Sequence, residues 1–422
     1  MNMLMQGEGY GMASTERIRS FFGRNKSVFT LGFIGLVISS IGDLAAGATL
    51  GFMTDTLALL PGLMILIPPA IGMRGNIFGA LGSRLGTAMH VGTFEMSLKR
   101  GSMLRQNLEA SLLLTMVMSF LMGVMAKVIS VALGVNSISI EDFVFISVLG
   151  GALAGLVIVL INILVASIGY RRGWDIDNIS APIITAAGDI VTLPMLFIAA
   201  LIVTGSLSPF LSSYVLVFSL LFLALAVYLA YRAYKMKKSE TKRIIMQSAP
   251  VLSICIILDI AAGLTIENQI EGLVTLPALL VLIPPFLEDA NALGGILTSR
   301  LSSMLHMGLL EPTRAPNRVT WENFAIIYIF SIWVFILVGV TAHFVSVLLG
   351  LSSPGLLEMV LLSMSAGLIT VTILNFISYY VAIYTYKFAL DPDDHSIPLT
   401  SSAIDAVGAI SLMVMIIILN LA

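Results

Sequence analysis

Apolar residues run along this chain in long blocks, broken by short polar stretches that hold most of the charge. A bilayer core of about 30 Å takes roughly 20 apolar residues at about 1.5 Å each, so each block has the length of a transmembrane helix. Cutting at charges and turn residues predicts spans near 28–53, 57–94, 106–134, 142–170, 179–203, 210–234, 246–266, 273–310, 322–350, 355–386 and 396–421. The pattern therefore predicts an all-α polytopic membrane protein of eleven spans. Composition agrees: of 422 residues, 58% are hydrophobic and only 11% charged, against roughly a quarter charged in soluble domains. Residues 1–27 are polar and carry Arg17, Arg19, Arg24 and Lys26. The apolar run after them is too long for a signal-peptide core and lacks an evident cleavage site, so it is expected to stay.

Loop charge sets the expected orientation. Lys and Arg are retained on the cytoplasmic side of membranes, and alternate loops hold Lys99, Arg100, Arg171, Arg172, Arg232, Lys235, Lys242, Arg243, Arg314 and Lys387. The loops between them carry Asp55, Glu141, Glu267 and Glu271, with Asp142 and Glu358 at helix ends. This places the amino terminus in the cytoplasm and the carboxy terminus outside. The formal charge of −2 gives no basic excess for nucleic acid, which is excluded as a partner. A single cysteine, Cys255, forms no intrachain disulfide, and four scattered histidines offer no zinc spacing. The partners expected are a cation and the lipid bilayer.

The chain repeats itself. Residues 41–95 and 257–311 align without a gap at an offset of 216, with 22 of 55 positions identical. Shared positions include Asp43/Asp259, Gly47/Gly263, Pro68-Pro69/Pro284-Pro285, Ser83-Arg84/Ser299-Arg300 and His90/His306. The same offset carries Asp175 to Asp391, Asp177 to Asp393, Pro182 to Pro398, Thr185 to Ser401 and Asp189 to Asp405. The organisation predicted is a short amino-terminal segment (1–27), a five-helix repeat (28–205), a linker helix with a basic loop (206–245) and a second five-helix repeat (246–422). Five is odd, so the linker helix restores direction and the two repeats run parallel. Their pseudo-two-fold axis then lies along the membrane normal, as in parallel-repeat transporters. The duplication removes the need for a dimer without forbidding one.

Ionisable residues inside spans mark function, because an Asp at the bilayer centre costs about 2.5–3.5 kcal/mol or more. Asp43 and Asp259 lie in the first span of each repeat, Asp189 and Asp405 in the fifth. Each of the first pair has a glycine one turn on, where a helix or a hydrated ion approaches closely. Thr185 and Ser401 sit one turn before Asp189 and Asp405, making an oxygen-lined stripe. Carboxylates, hydroxyls and water suit hard divalent cations, and Mg²⁺ keeps much of its water. The double prolines predict a break that frees backbone carbonyls at membrane depth. Polar residues follow them: Asn76 in the first copy, Glu288, Asp289 and Asn291 in the second. The copies differ here, since Asn291 aligns with Gly75 and Glu288-Asp289 with Gly72-Met73.

These residues resemble the membrane domain of the MgtE magnesium channels and the related solute-carrier family 41 transporters. The likeness rests on Pro-Ala-Ile-Gly-Met-Arg-Gly-Asn76 with Ser83-Arg84-Leu-Gly-Thr, and on Asp175-Ile-Asp177-Asn-Ile-Ser-Ala-Pro182-Ile-Ile-Thr185-Ala-Ala-Gly-Asp189. The second copy reads Asp391-Pro-Asp393-Asp-His-Ser-Ile-Pro398-Leu-Thr-Ser401-Ser-Ala-Ile-Asp405. The resemblance implies a cation pore between two five-helix units, with Asp189 and Asp405 at the ion site, a contribution from Asn76, and Mg²⁺ as transported substrate. It implies that one chain supplies both units, as in the fused solute-carrier members, to which Asp43 and Asp259 look closer. With about 27 residues before the first span, the amino-terminal and CBS sensor domains of MgtE are not expected.

Alternatives follow from the same residues. An exchanger driven by Na⁺ or H⁺ would use a second site, for which Asp43 and Asp259 serve. A Mg²⁺-dependent intramembrane prenyltransferase would use the Asp-x-Asp clusters at 175–177 and 391–394, but it has no need of mid-membrane aspartates, so no enzyme is expected. Those clusters otherwise cap helices or form an acidic vestibule. Arg84 and Arg300 are expected to pair with carboxylates or to snorkel toward the inner surface, an electrostatic gate being the alternative, and His90 and His306 to cap or pack.

Overall fold

A computed structural model describes residues 26–172, 176–237, 239–388 and 395–421. Among these are eleven helices long and apolar enough to cross a membrane: α1 (Lys26–Phe52), α2 (Ile67–His90), α3 (Met103–Ala132), α4 (Ile140–Arg172) and α5 (Ile176–Val203) in the first repeat. Helix α6 (Val215–Lys235) follows, then α7 (Glu240–Glu267), α8 (Pro277–His306), α9 (Arg318–Leu348), α10 (Leu356–Lys387) and α11 (Ile397–Ile418). The helices begin and end where the chain's own chemistry directs. Ser239 and Asn317 accept the Lys242 and Thr320 amides at the starts of α7 and α9. Gly134 and its copy Gly350 end α3 and α9 at φ of +68° and +72°, which favour glycine.

Packing follows the duplication. Helices α2 to α5 contact one another pair for pair as α8 to α11 do, and α1 and α7 each pack on the fifth helix of their own repeat, α5 and α11. Each first helix also crosses to the other repeat: α1 lies on α8 and α9, and α7 on α2 and α3. The repeats are thus exchanged at their first helices rather than stacked as two closed five-helix units. Helix α6 stands outside, against α3 and α4, with most of its apolar surface exposed for lipid. Ser219 on α6 donates to the Glu141 carbonyl at 2.8 Å, and Phe218 packs tilted on Phe145 at 6.0 Å.

The double prolines do not break their helices. Pro68 and Pro69 occupy the first turn of α2, where the missing amides are unneeded, and Pro284 and Pro285 lie inside a continuous α8. The carbonyls that Pro69 and Pro285 leave free, those of Ile65 and Val281, face the crossing helices instead of a cavity. A β-carbon on Gly263 would stand 2.7 Å from the Ile65 oxygen, and one on Gly47 would stand 2.2 Å from the Val281 oxygen. Two backbones thus meet twice across the pseudo-two-fold axis, and small residues permit it. Of the two settings in which freed carbonyls are tolerated at membrane depth, a cavity or surrounding protein, these occupy the second.

The repeats differ at one end of these seams. In the first, a short 3₁₀ turn (Leu63–Leu66) precedes α2 behind Gly62 at φ +84°. The Gly62 and Met64 amides donate to the Glu267 carboxylate at 2.7 and 3.2 Å. The second repeat replaces this turn with the first residues of α8, and Gly51 stands where Glu267 would be.

A buried acidic centre between the two halves

Helices α1, α5, α7, α8 and α11 bring six carboxylates into one region of the interior. Asp43, Asp259 and Asp289 are fully buried, Asp189 and Asp405 almost so, and Glu288 is partly open. Asp43 and Asp189 lie side by side in one half, Asp259 and Asp405 in the other. Glu288 stands within electrostatic range of all four and of its neighbour Asp289. Across the axis, Gly72 faces the Asp259–Asp405 pair: a β-carbon there would lie 3.2 Å from Asp259 Oδ2 and 3.6 Å from Asp405 Oδ2.

Few of these oxygens have partners. Asn291 Nδ2 donates to Asp405 Oδ1 at 2.9 Å, Ser40 Oγ to Asp289 Oδ2 at 2.6 Å, and Ser39 Oγ to Asp43 Oδ2 at 3.2 Å. Both carboxylate oxygens of Asp189 and of Asp259, and one each of Asp43 and Asp289, are buried with no hydrogen-bond donor. Unpartnered acceptors in an apolar interior are costly, and buried polar atoms are usually satisfied. Such a set is chemically suited to a cation or its water. Among the described residues, no three His, Cys, Asp or Glu side chains stand close enough to chelate a bare metal ion.

The residues singled out by sequence fall in different places. The four paired aspartates, Glu288, Asp289 and Asn291 meet at this centre. Asn76 lies half-buried one turn along α2 from Gly72, its Nδ2 without a partner, in a small cavity with Ala80, Arg84, Ser248, Leu252 and Pro398 that none of the six carboxylates lines. Thr185 packs over Gly75 and Gly79 of α2, and Ser401 is half-buried one turn before Asp405. Asn291, offset by one residue from Asn76 in the alignment, is the asparagine that bonds an aspartate. Asp175, Asp391, Asp393 and Asp394, and the side chain of Asp177, lie outside the described residues.

Ser39 and Ser40 were not legible as site residues. Serine is common in membrane helices, and nothing local distinguishes Ser40, which bonds a carboxylate 249 positions away, from Ser130, which bonds the carbonyl one turn back. Arg84 and Arg300 hold to asparagines, Nε to Asn107 Oδ1 at 2.9 Å and to Asn323 Oδ1 at 3.0 Å. His306 accepts or donates at the Ser302 carbonyl, 2.8 Å away, and packs edge-on to Tyr386.

The accessible surface has a direction. Residues 62–74 of the first repeat and 279–287 of the second are buried without interruption. Beyond them, 75–76, 79–80 and 83–84 on α2, and 291–292, 295–296 and 299–300 on α8, become partly exposed at four-residue spacing. The interior is therefore sealed toward the end bearing Asp55 and Glu271 and loosens toward the end bearing Lys99 and Arg243.

Comparison with known proteins decides the family. The MgtE family, described as divalent cation transporter, matches residues 67–199 and again 283–415, two segments offset by the same 216 positions as the repeat. The chain belongs to the MgtE family. Among its relatives, mouse solute carrier family 41 member 3 is 28% identical over 369 residues, covering 82% of this chain and 73% of that protein. Rat member 3 is 26% identical over 405 residues, with 89% and 84% covered. Human member 2 is 25% identical over 414 residues, with 89% and 67% covered. No solved structure matches. Divalent cation transport is thus the activity of the family to which this membrane protein belongs, and the acidic centre lies within or beside both matched segments.

Proposed function

We propose that this MgtE-family protein carries Mg²⁺ across the membrane along a path between its two repeats, past Asp43, Asp189, Asp259, Asp405 and Glu288. The observation that carries this reading is the pair of aspartates, Asp189 and Asp259, whose oxygens are all buried without a donor on opposite sides of the axis. Holding such groups in an apolar core is destabilising unless a proton, a cation or its water neutralises them, and a centre of six carboxylates is suited to the cation. Mg²⁺ sheds water reluctantly, which suits a centre where, among the described residues, no three such side chains gather closely enough to hold a bare ion. Asn291 orients Asp405, and Thr185 and Ser401 extend the oxygen surface. The single chain supplies both sides of the path, with the basic end in the cytoplasm by the positive-inside bias. The family is one of transporters, in keeping with a protein that is not an enzyme.

The test is Mg²⁺ flux into proteoliposomes under an imposed potential, with no Na⁺ or H⁺ gradient. Flux that follows the potential, and falls at least about tenfold in Asp189→Asn/Asp405→Asn, is the expected result. Near-normal flux in that double variant sinks the site. A second reading, exchange coupled to Na⁺ or H⁺, is favoured by Asp289 and Ser40, polar groups that only one side of the axis possesses. Flux appearing only when such a gradient is restored would select it.

A further inference from the structure

Position 39 and its copy, position 255, differ by one atom, oxygen in Ser39 and sulfur in Cys255. Ser39 stands one turn before Asp43 on α1 and donates to its carboxylate at 3.2 Å. Cys255 stands one turn before Asp259 on α7, is 2% exposed, and is the chain's single cysteine. Residues at i and i+4 share one face of a helix, so the thiol lies on the same side of α7 as the carboxylate. Asp405 is within electrostatic range of the thiol, and Ser402 of α11 stands beside both Cys255 and Asp259. In the first repeat Ala186 takes the place of Ser402.

This corner of the acidic centre is short of partners. Both Asp259 oxygens and the Ser402 hydroxyl are buried with no hydrogen bond, and a thiol, a weak donor and a weak acceptor, does not satisfy them. Sulfur beside a carboxylate favours zinc-like, softer divalent cations, whereas carboxylates and water alone suit Mg²⁺. Among the described residues no three His, Cys, Asp or Glu side chains gather closely enough to cage a metal ion, so water completes the shell of an ion held here.

We infer that Cys255 and Asp259 form a soft-cation subsite on the second-repeat side of the acidic centre, one that takes Zn²⁺- and Cd²⁺-like ions in preference to Mg²⁺ and so blocks Mg²⁺ transport. That such an ion blocks transport rests on the reading that Mg²⁺ crosses at these aspartates. The thiol proton is released as the metal–sulfur bond forms. On the first-repeat side Ser39 and Asp43 offer oxygen alone, so the two sides of the axis differ in softness as well as in charge.

Cadmium is the probe, because its bond to sulfur absorbs in the ultraviolet and Cys255 is the one thiol that can supply the sulfur. The purified full chain is titrated with Cd²⁺ in detergent, and the same protein in proteoliposomes is assayed for block of Mg²⁺ flux by Cd²⁺. The absorption band is expected in the parent. Asp259→Asn should weaken the Cd²⁺ binding read from that band about tenfold or more, and Asp43→Asn, on the other side, should change it far less. Cys255→Ser gives the second repeat the hydroxyl of the first, and, relative to its own uninhibited flux, it should need about tenfold more Cd²⁺ for half-block. A folded parent with no band, binding as tight in Asp259→Asn as in the parent, or equal block of the parent and Cys255→Ser overturns the subsite. The titration is independent of transport, so the two readings fail separately. Normal flux in Asp189→Asn/Asp405→Asn defeats the path, whereas lost flux in that variant with no cadmium band in the parent defeats the subsite alone.

Discussion

Helices α2 and α8 occupy the same place in the two repeats and do different work. After the shared prolines, α2 reads Gly72-Met73-Arg74 and α8 reads Glu288-Asp289-Ala290. At the first position, glycine leaves room against Asp259 and Asp405, while Glu288 adds a carboxylate to the shared centre. At the second, Asp289 takes a hydrogen bond from Ser40; across the axis the corresponding residues are Met73 and Ile256. The third position turns away from the path. Arg74 is buried, with Nη2 donating to Ser119 Oγ at 3.0 Å and Nε and Nη1 without partners. In the second repeat the same volume is filled by Phe335, whose ring leaves no space for a side chain at Gly367 and stacks tilted on Phe286 at 5.1 Å. Duplication has preserved the helix geometry while the chemistry on each side of the axis has changed. Symmetry of fold is therefore no guide to symmetry of charge.

The sharpest way to break this comparison is at its first position. Glu288→Gln is expected to reduce Mg²⁺ flux about tenfold, because it removes a charge within range of five other carboxylates. Gly72→Ala, at the equivalent place, needs only a slight shift of Asp259 and should alter flux far less. Equal losses in the two would show that the site is electrically symmetric after all.

A smaller effect tests what the halves share. Gly47→Ala and Gly263→Ala each push a methyl group into a carbonyl of the crossing helix, and each should lower stability by about 1–3 kcal/mol in thermal unfolding in detergent. Gly35→Ala, with nothing within 4 Å, is the control and should change little. If all three behave alike, the crossing contacts are not what holds the repeats together.

The smallest net change is expected where two differences compensate. Ser119→Phe alone drives a ring into Arg74 and Gly151, and should be strongly destabilising. Joined with Arg74→Ala it reproduces the packing of the second repeat, and stability should return to within about 1 kcal/mol of the parent. Unfolding midpoints of the four proteins in that cycle measure the coupling, and simple additivity would contradict it.

The sequence by itself determined the number of long apolar helices and the tandem repeat. Both follow from local quantities: run length and an offset read between two stretches of one chain. It also singled out Glu288 and Asp289 from their position after the prolines, and both lie at the buried acidic centre. Only the tertiary structure decided which helix meets which. Lipid tails are as apolar as leucine, so hydropathy does not say that α1 crosses to α8 or that Gly47 seats against the Val281 carbonyl. For the same reason the prolines predict freed carbonyls but not the glycines they meet, which lie on the crossing helices of the other repeat. Ser40 with Asp289, Asn291 with Asp405 and Asn107 with Arg84 are likewise matches of shape and hydrogen bonding between separate helices, fixed when the bundle closes rather than by any local pattern.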